Sequence, residues 1–161
     1  MDTHAFLEPA IVQNPALATE LSWQAVQACC EATADQRGLP FIVAFLVLPI
    51  AFHRKSATIL GGKQRPGALQ KAVVSDRAFA LGLEERARKL TQQSRDALSL
   101  ALACDLVTLD VSSMELFSTR KTLPTRHITK DVSVAMSAAK RLGWAAAEMS
   151  SPQIYSLLLM R

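Results

Sequence analysis

Aromatic side chains make up only 6% of the chain, too few for the paired rings that stabilise a β-sandwich. Ala and Leu are abundant instead, which favours helices. Cysteine is scarce and odd in number: Cys29, Cys30 and Cys104. Adjacent cysteines bridge only with strain, so these three form no disulfide framework and read as small buried residues of a reducing compartment. With no C-x-x-C pair and no His/Cys cluster, a structural zinc site has no ligand set. The opening Met1-Asp2-Thr3-His4 lacks the basic n-region of a signal peptide. The longest apolar run, Phe41 to Phe52, is twelve residues long, whereas a membrane span needs about 20. The expectation is a cytoplasmic protein with no membrane segment.

What is present is a globular composition. Half of the 161 residues are apolar and a fifth are charged, which suits one hydrophobic core and a single domain over residues 1–161. Net charge is +4, unevenly spread. Residues 1–40 hold five acids against Arg37 alone, and the rest of the chain holds seventeen bases against nine acids. The excess concentrates between Arg54 and Lys89 and between Arg120 and Arg141. Such a basic part faces nucleic acid, an acidic partner surface, or only solvent, and charge alone does not choose among them.

Hydrophobic periodicity predicts a mainly α fold: a compact helical domain with a winged-helix-like element and one small β-hairpin. In the N-terminal helical part, residues 14–53, Asn14-Pro15 starts a helix as N-cap and first helical residue. Its apolar positions run to about Ala32, and Gly38 is placed to end it in the left-handed conformation. Leu39 to Phe52 reads as a buried helix in preference to a buried strand, ended or kinked near Leu48 by Pro49. The polar, Gly-rich stretch from Lys55 to Gly67 reads as a mobile loop.

The winged-helix-like part, about 66–120, begins with a short helix over Ala68–Val74. Ser75-Asp76 caps a second that carries Phe79, Leu81 and Leu83 towards Leu90. Thr91 or Ser94 caps a third, with Ala97, Leu98, Ala101 and Leu102 inward and Arg95 outward. The period then switches to that of strands, Leu106 to Asp110 and Glu115 to Thr119, as in a hairpin. Helices followed by a hairpin are the order of a winged helix-turn-helix. After Leu123-Pro124-Thr125 come the C-terminal helices, 129–160. Thr129 or Asp131 caps one through about Glu148, with Gly143 in its interior implying close packing, and Ser151-Pro152 starts a last one over Gln153 to Met160.

Little in the chain suggests catalysis. His4, His53 and His127 each lack a second His or a carboxylate at metal spacing, and read as surface or boundary histidines. Adjacent Glu84 and Glu85 diverge by about 100° on a helix, and pair instead with Arg88 and Lys89 three or four residues on. Gly61-Gly62-Lys63 lacks the spaced first glycine and the Lys-Ser/Thr of a phosphate loop, so no ATP site is expected. No catalytic residue, cofactor, metal or small-molecule substrate is therefore expected. The hairpin of the winged-helix-like part carries Asp110 and Glu115, with Arg120 and Lys121 only at its exit; acids at a wing suit phosphate poorly, so a structural or protein-binding role is the better reading of this module.

Several short segments occur in a telling order: Asn14-Pro15-Ala16, Gly38-Leu39-Pro40, Phe45-Leu46-Val47-Leu48-Pro49 with His53-Arg54, Leu123-Pro124-Thr125, Ala138-Ala139-Lys140-Arg141-Leu142-Gly143-Trp144, and Ile154-Tyr155-Ser156-Leu157-Leu158. In these the chain resembles the middle component of bacterial ABC three-component systems. The resemblance implies an adapter that links an SMC-like ABC ATPase to an effector protein in defence against phages, plasmids or other foreign DNA. It carries over no catalytic residue. The candidate partner or DNA contacts are Arg54, Lys55, Lys63 and Arg65 of the basic stretch, Arg95, Arg120 and Lys121 of the winged-helix-like part, and Ile154, Tyr155 and Leu158 of the last helix. A helix this apolar is either core or partner-facing. The competing readings are a stand-alone winged-helix DNA-binding regulator and an unrecognised small enzyme.

Overall fold

The computed structural model describes residues 6–124 and 128–159; His4, Thr125, His127 and Met160, named above, lie outside them. In chain order the elements are α1 (Pro9–Val12), α2 (Pro15–Ala32), β1 (Leu39–Pro40), α3 (Phe41–Ala44), α4 (Val47–Ala51), α5 (Arg54–Gly61), α6 (Ala68–Ser75), α7 (Leu83–Lys89), α8 (Thr91–Ala103), β2 (Val107–Asp110), β3 (Glu115–Ser118), α9 (Lys130–Glu148) and α10 (Ser151–Leu159). The fold is mainly α with a small antiparallel sheet in the order β1-β3-β2. None of the described helices is long and apolar enough to cross a membrane.

The two long helices start where their caps dictate. Asn14 Oδ1 accepts the Ala16 and Leu17 amides at 3.0 and 3.2 Å, and Pro15 supplies the preset φ of the first turn. Thr129 Oγ1 accepts the Val132 amide at 3.3 Å. α10 starts with a reciprocal box one residue earlier than Ser151-Pro152 suggested: Gln153 Oε1 accepts the Ser150 amide at 2.8 Å, and Ser150 Oγ accepts the Gln153 amide at 3.4 Å. α2 and α9 pack against each other through small residues. Ala18, Ala25 and Ala28 of α2 and Ala135, Ala138, Ala139 and Gly143 of α9 are all buried. A methyl group at Gly143 would collide with the Ala25 carbonyl oxygen and lie 2.9 Å from the Ala28 Cβ. The interior glycine is therefore a packing requirement, as its place in the helix implied.

Four expectations are corrected. The Leu39–Phe52 run is a two-residue strand and two short helices broken at Phe45–Leu46, ahead of Pro49. Pro49 falls at the third position of α4, where the amide it lacks has no partner within the helix to lose. Leu39 instead pairs with Leu116 and Pro40 with Glu115. Arg54 to Gly61 is a helix and not a loop, because Ser56, Ala57 and Leu60 bury one face of α5, and the chain turns irregular only from Gly62 to Gly67. The left-handed step after α2 is taken by Ala34 and Asp35, with φ of 51° and 61°. Gly38 is needed for another reason: a methyl there would overlap the Leu116 carbonyl, whose carbon would be 2.9 Å away. Finally, the second helix begins at Leu83 and not at Asp76, whose carboxylate accepts the Ala78 amide at 2.8 Å in a tight turn.

The hairpin forms where the alternation placed it, with Leu109 opposite Leu116 and Asp110 opposite Glu115. The winged-helix expectation is met in the order of elements, helices and then a hairpin, and no further. Leu102 is 36% exposed and Cys104 is exposed, so neither is in the core as expected; Cys29 and Cys30 are. The core is continuous from Leu7 to Leu158, and Trp23 Nε1 ties α2 to the hairpin exit by donating to Ser118 Oγ at 3.0 Å and the Arg120 carbonyl at 3.2 Å. Gly143→Ala should lower folding stability by roughly 3 kcal/mol through overpacking, read as a drop in the urea midpoint. Gly61→Ala, whose methyl would meet the Val134 carbonyl oxygen at 3.4 Å, should cost far less.

Candidate partner-binding surface

The residues singled out in the sequence fall into separate places. Arg54 and Lys55 occupy the first turn of α5, where a helix end disfavours cations. Asp131 at 3.2 Å from Arg54 and Asp76 at 3.1 Å from Lys55 offset this. Both charges are thus engaged within the chain. Lys121 is likewise paired with Asp35 at 2.8 Å, and Arg95 and Arg120 are exposed. Ile154 and Leu158 are buried in the core. They lock α10 down and lie beneath the surface, because the helix faces α3, α6, α7 and α9. Tyr155 is half-buried and donates its hydroxyl to the Ile42 carbonyl at 2.8 Å.

Lys63 and Arg65 join side chains the sequence reading had not placed in a site. Trp144 on α9 is half-buried, with the Arg65 guanidinium 5.5 Å, the Lys140 ammonium 5.4 Å and the Arg141 guanidinium 5.2 Å from its ring centre. These are cation–π distances. Glu148 holds the 62–67 segment onto α9: one oxygen accepts from Arg65 Nε at 3.0 Å and the other from the Gly67 amide at 3.0 Å. Arg141 donates to the Lys63 carbonyl at 2.5 Å and the Ser137 carbonyl at 3.2 Å, and its partial burial lowers its pKa. Lys71 Nζ donates to the Gln64 carbonyl at 3.2 Å. Lys140, Trp144 and Glu148 are four residues apart, one stripe of a helix. That spacing was the sequence signal for the site.

A second feature is an open cleft of about 580 Å³ between residues 77–88 and α10. Arg77, Leu81, Glu84, Arg88 and Leu159 line it, and Leu81 is 74% exposed. Glu84 and Glu85 pair with Arg88 and Lys89 at 2.9 and 2.8 Å, as their spacing predicted.

The only close Ser–His contact among the described residues belongs to a structural network. His53 Nδ1 lies 2.7 Å from Ser56 Oγ and N-caps α5. Ser56 is fully buried, and its hydroxyl lies 2.8 Å from the Phe79 carbonyl. Arg86, buried and without a carboxylate among the described residues, donates to the Pro49 carbonyl at 3.2 Å, the Leu81 carbonyl at 2.7 Å and Ser56 Oγ at 3.3 Å. It thereby joins α4, α5 and α7. Burial lowers the Arg86 pKa to about 10. Burial, then Arg86 and Lys55, lower that of His53 from 6.5 to about 4. Among the described residues no group of three or more His, Cys, Asp or Glu side chains is arranged to hold a metal ion. Arg86→Met should destabilise the chain by about 2–4 kcal/mol, since it strips the buried Pro49 carbonyl, the part-buried Leu81 carbonyl and the buried Ser56 hydroxyl of a donor. Between pH 6.5 and 4 the unfolded chain protonates His53 while the folded chain does not. Stability should therefore fall as pH drops through that window. Urea midpoints at pH 7 and 5 should differ, and His53→Gln should reduce the difference.

No curated protein and no solved structure matches the chain. A family model does, over residues 6–161, and so takes in every described element, including the helix pair, the Trp144 surface and the cleft beside α10. The chain belongs to the family of the ABC-three component (ABC-3C) system Middle Component 3.

Proposed function

We propose that the chain is a cytoplasmic, non-enzymatic adapter that links an SMC-like ABC ATPase to an effector in a bacterial defence system against foreign DNA. The observation that carries this reading is membership, across residues 6–161, of a middle-component family of a multi-component ABC system. Such a component needs partner proteins. The side chains best suited to chemistry, His53, Ser56 and Arg86, are engaged in joining helices, which supports a role through binding. An adapter works by differential affinity: it binds one conformation of its ATPase or effector better than another, and an indifferent contact shifts nothing.

The cleft beside α10 offers a protein partner an exposed leucine rimmed by both signs of charge, the mixture of a protein interface. Tagged chain purified from its native cells should bring down a long coiled-coil ATPase and a second protein, identified by mass spectrometry. Leu81→Glu should reduce that recovery at least about tenfold, as loss of an interface anchor does, with unchanged thermal unfolding of the isolated chain. Recovery of the chain alone at native expression would set the adapter reading aside.

A further inference from the structure

We infer that the surface around Trp144 binds the sugar–phosphate backbone of a nucleic acid without regard to base sequence. Arg65, Lys140 and Arg141 lie over the Trp144 ring, Lys71 reaches the Gln64 carbonyl of the adjoining 62–67 segment, and Lys63 belongs to that segment through its backbone, so five cations accompany one carboxylate, Glu148. Eighteen bases and fourteen acids make up the whole chain, so this one surface accounts for its entire net charge of +4. The other basic and acidic side chains balance. Both oxygens of Glu148 are already engaged, by Arg65 and the Gly67 amide. Lys63, Lys71, Lys140 and Arg141 have no carboxylate within 4.0 Å among the described residues.

Elsewhere Arg37, Arg54, Lys55, Arg88, Lys89 and Lys121 each have an acid beside them, whereas Arg77, Arg86, Arg95, Arg120 and Lys130 stand apart from one another with none within 4.0 Å among the described residues. The cluster around Trp144 is therefore held together against its own repulsion by the indole face and by backbone carbonyls. A polyanion relieves that repulsion, and it meets Arg65, Lys71, Lys140 and Arg141 with rotamers already restrained by the indole or by hydrogen bonds, which lowers the entropic cost of binding. Phosphate fits better than an acidic protein. Three of the five cations are lysines, which are depleted at protein interfaces. Phosphodiester chains need only the cations and release counterions on binding. The hairpin, with Asp110 opposite Glu115, is not the contact.

The inference stands independently of the adapter reading, because it concerns the isolated chain. Purified full-length chain is titrated into a labelled duplex of about 30 base pairs, a single strand of equal length, and polyglutamate, with salt varied from about 50 to 200 mM. Saturable binding of duplex or single strand, with affinity falling steeply as salt rises, is expected; the two arms tell which form is taken. Lys63→Ala/Lys71→Ala/Lys140→Ala should weaken binding at least about tenfold and lower the slope of log affinity against log salt by roughly 2–3. Arg88→Ala/Lys89→Ala, away from the surface, should leave both unchanged. If the triple variant unfolds, Lys140→Ala alone, which breaks no hydrogen bond described above, should lower the slope by about 1. Equal binding by wild type and folded variant, or binding of polyglutamate with neither nucleic acid, overturns the proposal.

Discussion

The near-contact of two helix backbones where Gly143 of α9 meets the Ala25 carbonyl of α2 is the constraint on which the rest of the structure depends. No side chain larger than hydrogen fits at that point. The buried alanines on both helices let the pair stay close over several turns and let α9 serve as the spine against which α4, α5 and α6 also pack. Helices joined this way obtain their stability from dispersion at short range and from the area they exclude from water, with little contribution from side-chain polar groups. The site is a by-product of the same geometry. With α2 on one side of α9 and α5 on another, the stripe Lys140, Trp144 and Glu148 is left at the surface, beside the turn that leads into α6.

The polar interactions divide between fastening and display. Arg86, Ser56 and His53 lie where α4, α5 and α7 meet, and their hydrogen bonds satisfy carbonyls that short, broken helices leave without partners. Ion pairs at Arg54, Lys55 and Lys121 tie segment to segment at the surface, where each contributes little to stability but neutralises a cation. Around Trp144 the balance is different: Glu148 pairs with Arg65, and the remaining cations keep their charge without an acid beside them. A chain whose charge is otherwise balanced and whose buried polar groups are used in packing acts through its surface, which agrees with membership of a family of middle components.

Periodicity, composition and capping chemistry determined much of this protein from sequence alone: its mainly helical class, the starts of α2 and α9, the ion pairs along α7, the hairpin, and the need for glycine at 143. Each depends on residues within a few positions of one another, or on a cap whose donor lies two or three residues away. The tight spot at Gly143 was legible because a glycine inside a helix calls for a compensating contact.

Only the tertiary structure decided the rest. The Leu39–Phe52 run is apolar throughout and carries no periodic signal, so its division into a strand and two short helices depends on Leu116, far along the chain, accepting Leu39 as a neighbour. Arg54 to Gly61 is polar enough to resemble a loop, and it becomes a helix because α9 buries Ala57 and Leu60. Ile154 and Leu158 were readable as core or as a partner-facing patch until α10 docked and buried them. The Trp144 site needs Lys63 and Arg65 from one segment and Lys140 and Arg141 from another, more than seventy residues away. The physical reason is the same in each case: local sequence sets what a segment prefers, while burial and charge proximity belong to segments that only folding brings together.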